Sequence, residues 1–202
     1  MAPLIILIRH GQAVHNIDNN WVLRDPALTD AGRAECKVLA DRLQPKFHFT
    51  KDECCIVVSP LTRTLETVQY GLKWLRDQGV PAQVRAEWQE TTDNPCDVGG
   101  EPGQVKQQWP DFDFSDLDPV YPEKTGLYEN SEAAFKKRAY FAKEWLYKRP
   151  EKCIVVVSHR GFLRRVVGEP RFENGEYRTY KLVQTSSDYH LQEVDLESQQ
   201  EA

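Results

Sequence analysis

The sequence predicts an α/β fold, a doubly wound, mostly parallel sheet with helices on both faces. Three observations carry that prediction. Residues 4–8, Cys54–Val58 and residues 154–157 are short, unbroken apolar runs rich in β-branched side chains, the texture of strands buried on both faces. Stretches with apolar residues at helical spacing alternate with these runs. Each run also gives way to polar residues, in Arg9-His10-Gly11, Ser59-Pro60 and Ser158-His159-Arg160-Gly161. Such positions fall at the carboxyl ends of strands, where open α/β sheets bind ligands.

At 202 residues the chain can bury a substantial core, and it reads as one domain over 1–202 without internal repeat or linker. The formal charge of -5 comes from interspersed acidic and basic residues, which leaves no nucleic-acid footprint. No apolar stretch reaches membrane-spanning length. The run at 4–8 is too short for a signal-peptide core, lacks a basic lead and halts at Arg9. Five cysteines without metal-type spacing, and no secretion signal, point to free thiols in a reducing, cytoplasmic setting.

In chain order, the first strand leads into a polar connection containing His15, Asn16 and Trp21. Thr29 is suited to cap a helix, with Asp30 in its first turn and Ala34, Val38, Leu39 and Leu43 as its apolar face. Pro45 stops it. After the second strand, Ser59 and Pro60 have the N-cap and N1 pattern of a helix start. Leu61, Leu65, Val68, Leu72 and Leu75 supply that helix's stripe, and Gly79 closes it. Arg63 then sits in a first turn, where the macrodipole disfavours a cation. Two readings stay open: an anion site made by the helix start and the guanidinium, or an arginine paired with Glu66.

Residues 81–87 form a short third strand, followed by Trp88-Gln89-Glu90. From about 91 to 130 the chain is proline-punctuated and aperiodic, an irregular lid or binding insert with one short helix near 104–109. Its acidic stretch 111–118 fails as a calcium loop, because the sixth position is Asp116 and the twelfth Pro122. It reads as a solvated loop. Trp88, Trp109, Phe112, Phe114 and Tyr121 either meet an apolar part of a ligand or form the insert's own core. Ser131 caps another helix bearing Phe135, Ala139, Ala142 and Leu146, ended by Pro150. The strand at 154–157 precedes a short helix with Phe162, Leu163, Val166 and Val167. Strands at 177–183 and 189–194 and a frayed polar tail finish the chain.

If the strands ending at His10, Ser59 and His159 are neighbours, their edge gathers two histidines with Arg9 and Arg63, and Glu90 reaches the same edge. Guanidiniums offer paired, permanently charged donors matched to phosphate oxygens. A neutral imidazole is a competent nucleophile toward phosphorus. A carboxyl group beside it can protonate a leaving oxygen and then activate water. The set suits phosphoryl transfer in which arginines, rather than a metal, stabilise charge. A zinc site from His10, His15 and His159 is disfavoured by two nearby arginines that repel a cation.

Arg9-His10-Gly11 with Asn16 five residues past the glycine, Leu28-Thr29-x-x-Gly32, Ser59-Pro60-Leu61-x-Arg63 and Ser158-His159-x-Gly161 together resemble the histidine phosphatase superfamily, the phosphoglycerate-mutase-like clan. The resemblance implies that His10 is the nucleophile that becomes phosphohistidine. It implies that Arg9, Arg63 and His159 hold the phosphoryl oxygens and that Asn16 lines the pocket, although Asn16 also suits an Asx-turn. It places a glutamate after the strand that follows the second-arginine helix, which selects Glu90 over Glu87 as the acid. No metal or other cofactor is implied. Arg160 stands where many relatives carry a small residue, and either contacts an acidic substrate group or turns to solvent. Glu35 stands where glutamine is frequent. Gln12 joins Asn16 and Arg160 as a substrate-binding candidate, and His15 either touches substrate or lies in an exposed loop. His48 and His190 read as ordinary surface or strand residues.

The expected activity is metal-independent hydrolysis of a small phosphorylated metabolite. A phosphoglycerate-type mutase is one alternative, but such members are longer, and the 91–130 insert has only Lys106 and Lys124 to meet a carboxylate-bearing substrate. A module that binds a phosphorylated ligand or protein without turnover is the other, opposed by the presence of every motif residue.

Overall fold

Strand β1 (Leu4–Arg9) lies inside the sheet because both of its faces are apolar, and all six of its residues are buried. The computed structural model describes residues 2–168, 171–186 and 188–199. The other strands are β2 (Cys54–Val58), β3 (Ala82–Val84), β4 (Cys153–Ser158), β5 (Tyr177–Gln184) and β6 (Tyr189–Val194). They form one sheet in the order β3-β2-β4-β1-β5-β6. The four strands from β3 to β1 run parallel, and β5 and β6 add an antiparallel edge.

The helices are α1 (Val14–Ile17), α2 (Asp30–Leu43), α3 (Thr62–Gly71), α4 (Lys73–Asp77), α5 (Pro102–Gln108), α6 (Glu132–Tyr147) and α7 (Arg160–Val167). Alternation along the strands divides the core. Ile6, Ile8, Ile56, Val58, Val155 and Val157 share one layer with Leu39 and Leu43 of α2 and Leu65 and Val68 of α3. Ile5, Leu7, Val57, Ile154 and Val156 share the other with Ala139 and Leu146 of α6 and Phe162 and Leu163 of α7. Burying one such side chain stabilises by about 1.5–3 kcal/mol relative to exposing it, so both layers are strongly specified. The sheet is therefore doubly wound and mostly parallel, as expected.

Several local expectations are corrected. Helix α2 starts at the Thr29 cap, whose hydroxyl accepts from the Gly32 amide at 2.9 Å. Its buried stripe is Gly32, Cys36, Leu39 and Leu43, whereas Ala34 and Val38 are exposed. The reason is a backbone crossing: a Cβ on Gly32 would lie 2.0 Å from the Gln12 carbonyl oxygen, so the glycine side must face the exit of β1. Helix α3 begins at Thr62, not at Ser59-Pro60. Its cap comes from elsewhere in the chain, as Asp25 accepts from the Thr62 amide at 2.9 Å and its hydroxyl at 2.8 Å. The helical stretch also breaks at Leu72, although the four stripe leucines and Val68 all stay buried.

Strand β3 is three residues long and passes into a 3-10 turn, Ala86–Trp88. Part of the acidic stretch lies along it: the Asp113 amide donates to Ala82 O at 2.9 Å and Val84 N to Asp113 O at 2.8 Å. Trp88, Phe114 and Tyr121 are buried, and Trp109 and Phe112 pack against the sheet's core, so the insert's aromatics are core. All five cysteines are buried and free. Glu197–Gln199 forms a 3-10 turn, and the expected fraying of residues 200–202 lies outside the described residues. Among the described residues no helix is long and apolar enough to cross a membrane.

Candidate active site

The sheet order places β2, β4 and β1 side by side, so the ends at Ser59, His159 and His10 form one edge. Arg9 and Ser158 are register partners on parallel strands, and the next residue of each is a histidine. The two imidazoles consequently stand 5.1 Å apart, centroid to centroid. The His159 Nε2 pairs with Ser59 Oγ at 2.7 Å, which engages the serine expected to cap α3.

His10 is 2 % exposed. Its Nδ1 lies 2.7 Å from Gly11 O, a contact that requires the proton on Nδ1. The Nε2 lone pair then accepts from Arg63 Nε at 3.3 Å. Burial, reinforced by Arg63 and Arg9, holds His10 well below the usual imidazole range. The ring is neutral, with its unprotonated nitrogen accepting from a fixed cation. Burial and Arg63 do the same to His159.

Arg63 is fully buried in the first turn of α3. Its NH1 donates to Cys96 O at 2.7 Å, and its NH2 pairs with Asp97 at 2.9 Å. The expected Glu66 partner instead accepts from the Leu28 amide at 2.6 Å. Arg9 donates to Phe172 O at 3.0 Å, while its buried Nε has no hydrogen-bond partner among the described residues. Glu90 accepts at the start of α7, from Gly161 N and Phe162 N at 3.0 Å each and from Thr91 N at 2.8 Å. Helix amides are suited to hold a carboxylate there. A Cβ at Gly161 would meet Glu90 Oε1 at 2.3 Å, which reserves the position for glycine.

A cavity of about 270 Å³ opens onto part of this set, and Arg63 and His159 are not among its lining residues. Arg9, His10, Asn16, Glu90 and Arg160 line it, with Arg160 itself exposed at the mouth. Asn16 lines the cavity, and its Oδ1 accepts from Ala13 N, three residues back, at 3.0 Å, a capping contact at the start of α1 rather than an Asx-turn. Gln12 is corrected. It is not among the lining residues, and its amide oxygen accepts from the Thr29 hydroxyl at 2.8 Å, which supports the start of α2. His15 lines the cavity, buried rather than exposed. Asp97, Thr91, Thr92 and Asn94 also line it and were not anticipated, because the aperiodic insert carries no local signal for them. Lys124 donates to Glu90 O at 3.0 Å, and burial lowers its ammonium to about 7. Among the described residues, no group of three or more His, Cys, Asp or Glu is placed to hold a metal ion.

The neutral histidines make stability depend on pH. Burial, with Arg63 and Arg9, pushes His15 down to about 3, whereas an unfolded imidazole titrates near 6.5. Below that pH the unfolded chain binds more protons, so stability is complete above about 6.5 and declines as pH falls. For His15 the loss at pH 5 is about 2 kcal/mol. Thermal unfolding should show Tm falling from pH 7.5 to 5, with a shallower slope in His15→Gln. A Tm that rises on acidification would contradict this origin.

Fixed cations around an unprotonated imidazole, with a carboxyl group lining the same cavity, suit the handling of a phosphoryl group, the province of histidine-phosphatase-type enzymes. The chain belongs to the histidine phosphatase superfamily (branch 1), which it matches across residues 5–196. It is 33% identical over 160 residues to a probable phosphatase of Schizosaccharomyces pombe, covering 77% of this chain and 73% of that one. A 2,3-bisphosphoglycerate-dependent phosphoglycerate mutase of Brucella ovis is 34% identical over 94 residues, 40% of this chain and 42% of the mutase. Among solved structures, the ecdysone phosphate phosphatase of Bombyx mori in complex with tungstate shares the fold, with a TM-score of 0.70 at 16% identity over 96% of this chain and 92% of that one.

Proposed function

We propose that this enzyme hydrolyses a small phosphomonoester through a phosphohistidine on His10, without a metal. The observation that carries the reading is a neutral His10 whose unprotonated Nε2 accepts from Arg63 Nε, with Glu90 lining a cavity that His10 also lines. In the first step Nε2 attacks phosphorus in line. The N–P bond forms as the ester P–O bond breaks, and the acidic proton of the substrate monoanion passes by way of the Glu90 carboxylate to the departing oxygen. Arg9, Arg63 and His159 hold the phosphoryl oxygens, and Asn16 and Arg160 complete the pocket. In the second step Glu90 takes a proton from water, the water oxygen bonds to phosphorus and the N–P bond breaks. Orthophosphate leaves carrying that proton, with both groups restored.

Hydrolysis is favoured over return of the phosphoryl group to a bound phosphoglycerate. Of the insert's two lysines, Lys124 is engaged by the Glu90 carbonyl and Lys106 is exposed on α5, so neither lines the cavity. The probable phosphatase of S. pombe points the same way. Five buried, free thiols suit a reducing compartment such as the cytoplasm.

The test is rapid acid and alkaline quenching of the enzyme with a labelled aryl phosphate, in chelator. A phosphoenzyme that is acid-labile and alkali-stable, with the label on His10, is expected. Label on another residue, or turnover that stops in chelator, would overturn the mechanism.

A further inference from the structure

Apolar side chains left in solvent are concentrated in the segment 14–23, which reaches the cavity through Trp21. Among the described residues, Val14, Ile17, Trp21, Val22 and Leu23 make up half of the large apolar side chains that stay exposed. Val22 is 79% exposed and Ile17 58%. Scattered exposed apolar residues are ordinary, whereas a contiguous group at a polar cleft marks a contact site.

Trp21 connects this group to the chemistry. It lines the cavity together with His10 and His15. Its ring lies 5.9 Å from that of His15, which lies 6.0 Å from His10. The segment is held in place, since Trp21 O accepts from Cys96 N at 3.2 Å and His15 O from Asn20 N at 3.1 Å. The other lining groups near the mouth, Arg160, Thr92 and Asn94, are polar. The insert's aromatics are committed to the core and leave Trp21 as the aromatic face the cavity offers.

We infer that Trp21, with Val22 and Leu23 beside it, forms the leaving-group subsite, and that the substrate is a phosphomonoester of an apolar alcohol. This rests on the phosphatase reading. With the phosphoryl group at His10, the alcohol is directed toward the mouth and meets the indole, a large face ordered at little conformational cost. Each methylene that reaches it strengthens binding by about two- to fourfold.

The test measures binding of ethylphosphonate and hexylphosphonate, which cannot be hydrolysed, to the wild type, Trp21→Ala and Trp21→Phe by calorimetry. Alongside it, kcat/KM is measured for ethyl and hexyl phosphate, whose leaving groups are equally basic. Hexylphosphonate is expected to bind about tenfold or more tighter than ethylphosphonate to the wild type. The ratio should collapse toward one in Trp21→Ala and be largely kept in Trp21→Phe. Chain-length-independent binding to the wild type would overturn the subsite and leave the patch as a surface for another protein. A ratio unchanged in Trp21→Ala would overturn the role of Trp21. Chain-length-dependent binding without turnover of either ester would instead overturn the phosphatase reading while keeping the subsite.

Discussion

Replacing His10 by alanine should lower phosphate release by about 10⁴-fold or more, with the fold intact. In the proposed mechanism the substitution removes the atom that bonds to phosphorus, and no neighbour can take its place. His159 is held by Ser59 at 2.7 Å, and His15 stands one ring further from the strand edge. The backbone of residue 10 remains anchored, since its amide donates to Ser158 O at 3.0 Å and its carbonyl accepts from Gly175 N at 3.2 Å. Removing an imidazole that burial, reinforced by two guanidiniums, keeps neutral also relieves an acid-side weakness, so the variant should lose less stability than wild type below pH 6. Phosphate release in chelator and Tm against pH measure both effects. Activity within tenfold of wild type would rule out His10 as the nucleophile.

Arg63→Ala should fail in two ways at once. His10 loses the cation that faces its Nε2, which costs about 10²–10³-fold in kcat/KM. Asp97, 5 % exposed, is left with a buried and uncompensated charge, a loss of about 3–5 kcal/mol of stability. Lysine should not rescue the site, because one ammonium cannot reach His10, Cys96 O and Asp97 with a rigid fork. Combining Arg63→Met with Asp97→Asn separates the roles: stability should return in part, and activity should not. Recovery of turnover in the double variant would show that Arg63 acts through the fold alone. Urea unfolding and steady-state kinetics read the two quantities independently.

How much of this was legible in the sequence depends on the range of the forces involved. The strands around His10, Ser59 and His159 announce themselves, because a strand buried on both faces must be apolar at every position. Their neighbourhood followed from that, and β2, β4 and β1 are adjacent. The Ser131 cap was likewise readable, since it satisfies an amide three residues away. The face of α2 was not, because it is set by a crossing of Gly32 with Gln12 that periodicity does not register. The start of α3 was misplaced for a similar reason, its cap being Asp25, far back in the chain.

The candidate site divides along the same line. His10, His159, Arg9 and Arg63 are fixed by local strand and helix ends, and sequence alone located them. Asp97 as the partner of Arg63, the diversion of Gln12 to Thr29, and Trp21 at the cavity mouth required the folded chain. Each is a pairing made across a loop, where neither the 3.6-residue nor the two-residue period constrains what a side chain meets. Sequence determined the sheet, its edge and the chemistry gathered there. Tertiary packing decided which charges are compensated and which apolar surface borders the cavity, because burial and Coulomb interactions act through space rather than along the chain.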